Sequence, residues 1–211
     1  MKVLGFDPSL TNFGWCLLEH TEGTIRVLGH GRFRTSARDL FIDRYTELRE
    51  SVRALIIKEC PDCVSCEYPI FHDLFSEGMY GLFLFTCEAL RQQKKDVVFF
   101  SPGQVKVHAR AFLGRPDGWV MAKSDMVEAQ KVFTGDKPWN HNEADAFWVA
   151  KTGMRFWLLH RGETLESDLT KDEAKQFVMA KTFKKGKKAG QTEKSGILYR
   201  EDDRFFLFSK E

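Results

Sequence analysis

Apolar positions dominate two early runs of the chain, Val3-Leu4-Gly5-Phe6 and Phe13-Gly14-Trp15-Cys16-Leu17-Leu18. The pattern predicts strands over Lys2–Asp7, Asn12–Glu19 and Thr24–Thr35, joined as an antiparallel meander. From Asp39 to Lys58, the residues Leu40, Tyr45, Leu48, Val52, Leu55 and Ile56 recur at helical spacing. A short buried strand, Cys63–Glu67, comes next. The following helix, Gly78–Gln93, is apolar nearly all round, which marks it as central or covered by a partner subunit. Asp96–Ser101 reads as another buried strand. Val105–Leu113 and Lys123–Phe133 read as short helices around a Gly/Pro loop, and Asn142–Leu159 as a helix rich in bulky aromatics. Strands followed by alternating helices and strands imply an α/β layer fold.

Beyond about Arg161 the pattern changes. Thr170–Lys181 reads as a helix with Asp172 and Glu173 in its first turn. A basic stretch low in apolar residues, FKKGKKAGQTEKSG, comes next, and Ile197–Phe208 reads as a hairpin turning on Glu201-Asp202-Asp203. The expected division is a main domain over 1–161 and an extension over 162–211.

Composition narrows the class. The chain has 211 residues, 43% hydrophobic and 29% charged, enough for one ordinary core plus a small appendage. A formal net charge of +2 does not by itself announce a nucleic-acid binder, so the distribution of charge matters more than its sum. Five cysteines, an odd number, with no basic leader ahead of an apolar stretch, point to free thiols in a reducing, cytoplasmic setting. No apolar run approaches the roughly 18–20 residues of a membrane span. Cys60-Pro61-Asp62-Cys63 has CxxC spacing, but no second pair completes a four-ligand zinc site. Those cysteines are therefore read as buried small residues entering a strand.

The candidate chemistry lies in acids at element ends. Asp7 and Glu67 each terminate a predicted strand, and Asp145 sits early in the late helix, within HNEADAFWVA. Three such acids can converge at one edge of a central sheet. Clustered carboxylates repel one another unless a cation is bound, and oxygen ligands suit Mg²⁺ or Mn²⁺ better than zinc. Two ions about 4 Å apart would clamp a phosphodiester and activate a water. At about 100° per residue, Asn142 lies about 60° and His141 about 40° from Asp145, whereas Glu143 lies about 200° away. Asn142 or His141 is thus the expected companion of Asp145, with Glu143 in reserve where the helix start frays. Each acid also has a plainer reading: a turn-starting Asp before Pro8-Ser9, an exposed strand end, and a carboxylate favoured near a helix N-terminus.

The motifs GFDPSLTNFGW, CEYPIF, Val105-Lys106, AKSD around Lys123 and NEADAFWVA fall in the order seen in RuvC-type Holliday-junction resolvases, and the chain resembles that family over roughly residues 1–160. The resemblance implies an RNase H-like fold, a five-stranded mixed sheet flanked by helices. It also implies a homodimer that cuts four-way or other branched DNA junctions with Mg²⁺ or Mn²⁺, two ions per site, and no small-molecule cofactor. By motif match, Asp7, Glu67 and Asp145 are metal ligands. Asn142 stands where the family has an acid or histidine, so His141 or Glu143 is an alternative ligand. Lys106 and Lys123 match basic positions near the scissile phosphate, where a cation neutralises transition-state charge. Tyr68 and Phe71 both match the region of an aromatic wedge. Core packing is the plainer reading for these rings, and a solvated surface for the lysines.

The segment after 161 has no counterpart in the family core. Its Lys184, Lys185, Lys187 and Lys188, with the neighbouring glycines, form a cationic arm suited to a DNA backbone or to water. A small chain with a basic tail is compatible with a bacteriophage resolvase. Two other functions compete. One is a non-catalytic junction-binding protein, suggested by Asn142. The other is an ATP-binding protein of the actin/Hsp70/sugar-kinase class, suggested by Asp7, Ser9, Thr11 and Gly14. The apolar helix from Gly78 is the expected dimer surface.

Overall fold

The computed structural model describes residues 1–68, 77–177, 180–182, 192–194, 197–202 and 204–208. Strands β1 (Lys2–Asp7), β2 (Asn12–Thr21) and β3 (Thr24–Arg34) open the chain. Then come α1 (Phe41–Glu59), β4 (Cys63–Glu67), α2 (Glu77–Gln92), β5 (Val97–Phe100), α3 (Pro102–Phe112), α4 (Lys123–Thr134) and α5 (His141–His160). The remainder holds α6 (Lys171–Phe177), the short strands β6 (Ala180–Thr182) and β7 (Thr192–Lys194), and the hairpin β8 (Ile197–Glu201) and β9 (Arg204–Phe208).

One mixed sheet runs in the order β3-β2-β1-β4-β5-β8-β9. Its first five strands are the expected set. The C-terminal hairpin makes it seven, because β8 pairs antiparallel with β5 through Val97↔Arg200, Val98↔Tyr199 and Phe99↔Leu198. Without that pairing the β5 edge would leave a row of backbone groups open. Strand alternation sends Val3, Cys63 and Phe100 to one face, under α3, α4 and α5. It sends Leu4, Phe6, Val64 and Phe99 to the other, under α1 and α2.

The parallel register of β1 and β4 matters most for function. Phe6 lies beside Cys66, so the next residues, Asp7 and Glu67, end adjacent strands at the same sheet edge. Across β2, Asp7 pairs with Gly14. Helix α5 then lies on β1 and β2 at close range. A Cβ on Gly5 would come within 2.4 Å of the Ala150 nitrogen, and one on Gly14 within 2.1 Å of the Asn142 carbonyl oxygen. Only glycine permits this approach. It fixes the first turn of α5 over the strand position next to Asp7.

Several sequence expectations shift. Helix α3 begins at Pro102, earlier than expected. Ser101 caps it, its Oγ accepting from the Gln104 N–H at 3.3 Å, while the Ser101 N–H donates to Gln104 Oε1 at 2.8 Å. Pro102 at the first helical position adds a preset φ. Ser101→Ala should therefore lower stability by about 1 kcal/mol, read from urea melts; an unchanged midpoint would contradict the capping role. The helix expected over Thr170–Lys181 ends at Phe177, and Ala180–Thr182 instead pairs with Thr192–Lys194. Leu40, expected on the buried face, is 71% exposed at the N-cap of α1. Helix α2 is two-sided: Leu82, Thr86, Ala89 and Leu90 are buried, while Tyr80 and Leu84 face out.

All five cysteines are free thiols. Cys63 and Cys66 are buried strand residues, but Cys60 is exposed, in a left-handed conformation at the end of α1. Among the described residues, no helix is long and apolar enough to cross a membrane.

Candidate active site

A cavity of about 260 Å³ opens at the carboxyl edge of β1 and β4 and is lined by Asp7, Glu67, Asp145, Asn142, Lys106 and Lys123. Four different elements and a helix start supply them. β1 and β4 end on the first two acids, α5 carries Asn142 and Asp145 on one face, α3 projects Lys106, and α4 begins at Lys123. Ser9, Pro102, Val105 and Met126 complete the wall.

The electrostatics are those of crowded negative charge. Burial, followed by repulsion from Glu67 and Asp145, holds the Asp7 carboxyl well above the usual carboxylate range, against the pull of Lys123. Glu67 is pushed up to about 7 by burial and then by Asp145, with Lys106 opposing. Burial pushes Asp145 up to about 6, with Lys123 and Lys106 opposing. Two lysines thus offset three acids only in part.

Asn142 is buried, and its amide Nδ2 donates to the Asn12 carbonyl, which leaves Oδ1 as its acceptor. Asn140 caps α5, its Oδ1 accepting from the Asn142 N–H at 3.1 Å. Glu143 points away from the cavity. Its carboxylate meets His30 Nδ1 at 2.8 Å and Arg32 Nε at 3.7 Å on β3, and the His30 ring stacks on Trp139 at 3.6 Å. His141 is exposed and does not line the cavity; partial burial, then Lys123 and Arg32, hold its imidazole below the ordinary value. Tyr68 packs edge-on against Phe83, 5.1 Å between ring centroids, outside the cavity lining. Phe71 and the arm lysines Lys184, Lys185, Lys187 and Lys188 lie outside the described residues.

The donor set fits a hard divalent cation. It is all oxygen, includes three ionisable carboxylates, and gains stability from any cation that relieves their repulsion. The fit is one of chemistry and charge: among the described residues, no three acidic, histidine or cysteine side chains are drawn in closely enough to form a finished cage. The loop that suggested an ATP hairpin is otherwise engaged. Thr11 Oγ1 accepts from Arg44 Nη2 at 3.2 Å, and Ser9 Oγ accepts from the Asn12 N–H at 3.4 Å.

No protein-family model matches the chain. The crossover junction endodeoxyribonuclease RuvC of Sphingopyxis alaskensis is 32% identical over 73 residues, 35% of this chain and 47% of that protein. The chain therefore spans about half the length of that relative. The RuvC of a Synechococcus strain is 29% identical over 159 residues, 72% of this chain and 97% of that protein. Thermus thermophilus RuvC, in a complex with Holliday junction substrate, superposes with a TM-score of 0.63 at 21% identity, covering 78% of this chain and 97% of that one. In sequence and in fold the chain is similar to RuvC. The yeast mitochondrial Holliday junction resolvase Ydc2 shares the fold at a TM-score of 0.52 and 14% identity. Nearly all of the Thermus RuvC chain is matched, while about a fifth of this chain lies outside the match.

Sequence reading overlooked Pro102 and Met126 as cavity residues. Nothing in their type signals chemistry, and only the folded position of α4 brings Met126 to the wall. The start of α3 was legible in Ser101-Pro102-Gly103-Gln104, a capping box with proline in place.

Proposed function

We propose that the chain is a metal-dependent endonuclease that hydrolyses phosphodiesters at four-way or other branched DNA junctions, acting as a homodimer. The observation that carries this reading is the convergence of Asp7, Glu67 and Asp145 on one cavity whose cations, among the described residues, are Lys106 and Lys123. In this reading Asp7, Glu67 and Asp145 hold Mg²⁺ or Mn²⁺, with the Asn142 Oδ1 as a neutral oxygen beside them. When bound, one or two such ions supply Lewis-acid stabilisation of the phosphoryl oxygens and a water made acidic enough to attack. Lys106 and Lys123 hold the scissile phosphate from the opposite side and offset the charge that builds on it. Glu143 takes no part in the chemistry; its contacts with His30 and Arg32 on β3 steady the first turn of α5. Symmetric cuts in two strands need two sites related by a two-fold axis, and the outward Tyr80 and Leu84 of α2 offer an apolar surface for that pairing.

A synthetic four-way junction incubated with the chain and Mg²⁺ should be nicked in opposing strands; binding without any cleavage would favour a junction-binding protein instead. Metal binding must displace protons from Glu67 and Asp145. Apparent Mn²⁺ affinity should therefore fall as pH drops from 8 to 6, through the values near 7 and 6. Titration calorimetry in two buffers reads both the affinity and the protons released, and a pH-independent affinity would contradict the assignment of these acids as ligands.

A further inference from the structure

A second groove, about 180 Å³, begins where the active-site cavity ends, and Lys106 lines both. One wall is the Gly103, Lys106, Val107 and Arg110 face of α3; the other is the loop Trp119-Val120-Met121. Trp119 is 46% exposed and Val120 88%, whereas Met121 beside them is buried. Trp119 is nevertheless held in place. Its indole Nε1 lies 3.4 Å from Asp125 Oδ2, and the Arg115 guanidinium sits 5.3 Å from the ring centroid. The same Asp125 oxygen accepts from the Ala122 N–H at 2.8 Å, at the start of α4 and next to Lys123. One carboxylate thus ties the orientation of an exposed indole to the helix that brings Lys123 to the phosphate.

Charge is distributed to suit an anion at the shared end of the groove. Arg110 is already answered by Asp117 and Asp172, each at 2.9 Å. Lys106 has no carboxylate within ion-pair distance among the described residues. A fixed, half-exposed indole sharing a groove with Lys106 suits one flat heteroaromatic ring attached to a phosphate. The volume is too small for a helix or strand. We infer that this groove holds the nucleotide adjoining the cut, its base unstacked from the junction and laid on Trp119, its phosphate on Lys106. The inference rests on the nuclease reading above and adds a binding site to it. Stacking of a base on an aromatic ring is tolerant of sequence, so the site selects for a base free to leave the helix rather than for its identity. Nucleotides at a branch point meet that condition more readily than those in an intact duplex.

The test uses the full chain and a four-way junction whose cut position has been mapped in Mg²⁺. The fluorescent base 2-aminopurine is placed at the nucleotide on either side of the cut, and Ca²⁺ replaces Mg²⁺ during binding. One of the two positions should be quenched by the native protein and by Trp119→Phe but not by Trp119→Ala. Trp119→Ala should also bind the junction about tenfold more weakly. Unquenched fluorescence at both positions, in a protein that binds and cuts the junction, overturns the groove and leaves the nuclease reading standing. Native affinity and native quenching in Trp119→Ala do the same. If the native protein neither binds nor cuts branched DNA, the nuclease reading falls and the groove's ligand with it. Should Trp119→Ala fail to fold by circular dichroism, the native and Trp119→Phe signals decide alone.

Discussion

Asp7→Asn should leave a folded protein that cuts junctions at least about a thousandfold more slowly, the loss expected when several kcal/mol of transition-state stabilisation disappear. The same substitution should raise the unfolding temperature in EDTA at pH 8 by at least about 3 °C. The two effects have one cause. Asp7, Glu67 and Asp145 all have carboxyl pKa values raised in the folded state, chiefly by burial. A group of this kind contributes its full stability below its unfolded pKa, about 4. That stability is then lost as pH rises to the folded value, near 7 for Glu67 and near 6 for Asp145. At pH 8 without metal Glu67 and Asp145 are ionised beside the buried Asp7 carboxyl, and asparagine at position 7 takes one acid out of the cluster. Added Mn²⁺ should raise the melting temperature of the native protein and have little effect on Asp7→Asn. Thermal melts at pH 5 and pH 8, with and without Mn²⁺, read all of this. A variant that still cleaves, or that melts lower than the native protein at pH 8, would refute the assignment.

Gly14→Ala should be the most damaging alanine outside the acids. Its Cβ would stand 2.1 Å from the Asn142 oxygen and 2.7 Å from the Asn142 carbonyl carbon, both backbone atoms of α5. The helix start must lift, and Asn142 and Asp145 move away from Asp7. Urea unfolding should show a loss of roughly 2–3 kcal/mol, and cleavage should fall more than about tenfold as the ligands separate. Gly29→Ala on the neighbouring strand provides the comparison. Its Cβ would meet only Trp15 ring carbons, at 3.5 Å, which is ordinary contact. Equal effects of the two alanines would show that the helix approach does not govern the site.

Much of this was readable before folding, and the gaps have physical causes. Strand alternation and helical spacing located β1 to β5 and α1 to α5 because each pattern is local. The carboxylates stood out because acids ending apolar runs are unusual, and the about 100° step of a helix separated Asn142 from Glu143. Their roles as ligands, and those of Lys106 and Lys123, came from resemblance, since a lone lysine has no local signature. The union of β8 with β5 was not legible, because pairing across about 100 positions leaves no trace in either strand's own pattern. Nor was the exposure of Leu40 or Tyr80, whose neighbours are set by how α1 and α2 meet. Trp119 passed unnoticed because its loop has no period, and its meaning depends on sharing a wall with Lys106.

The C-terminal hairpin covers the open hydrogen-bonding edge of an apolar strand. Arg200 reaches from β8 to the Leu90 carbonyl at 3.0 Å and to the Lys95 carbonyl, pinning the hairpin to the end of α2 and to the loop ahead of β5. A chain cut short before Ile197 would present Val97–Phe100 as a bare, fully apolar margin, ready to recruit the same strand from other molecules. Forms of this protein shortened before Ile197 are accordingly prone to precipitate during expression, whatever their effect on the distant carboxylates.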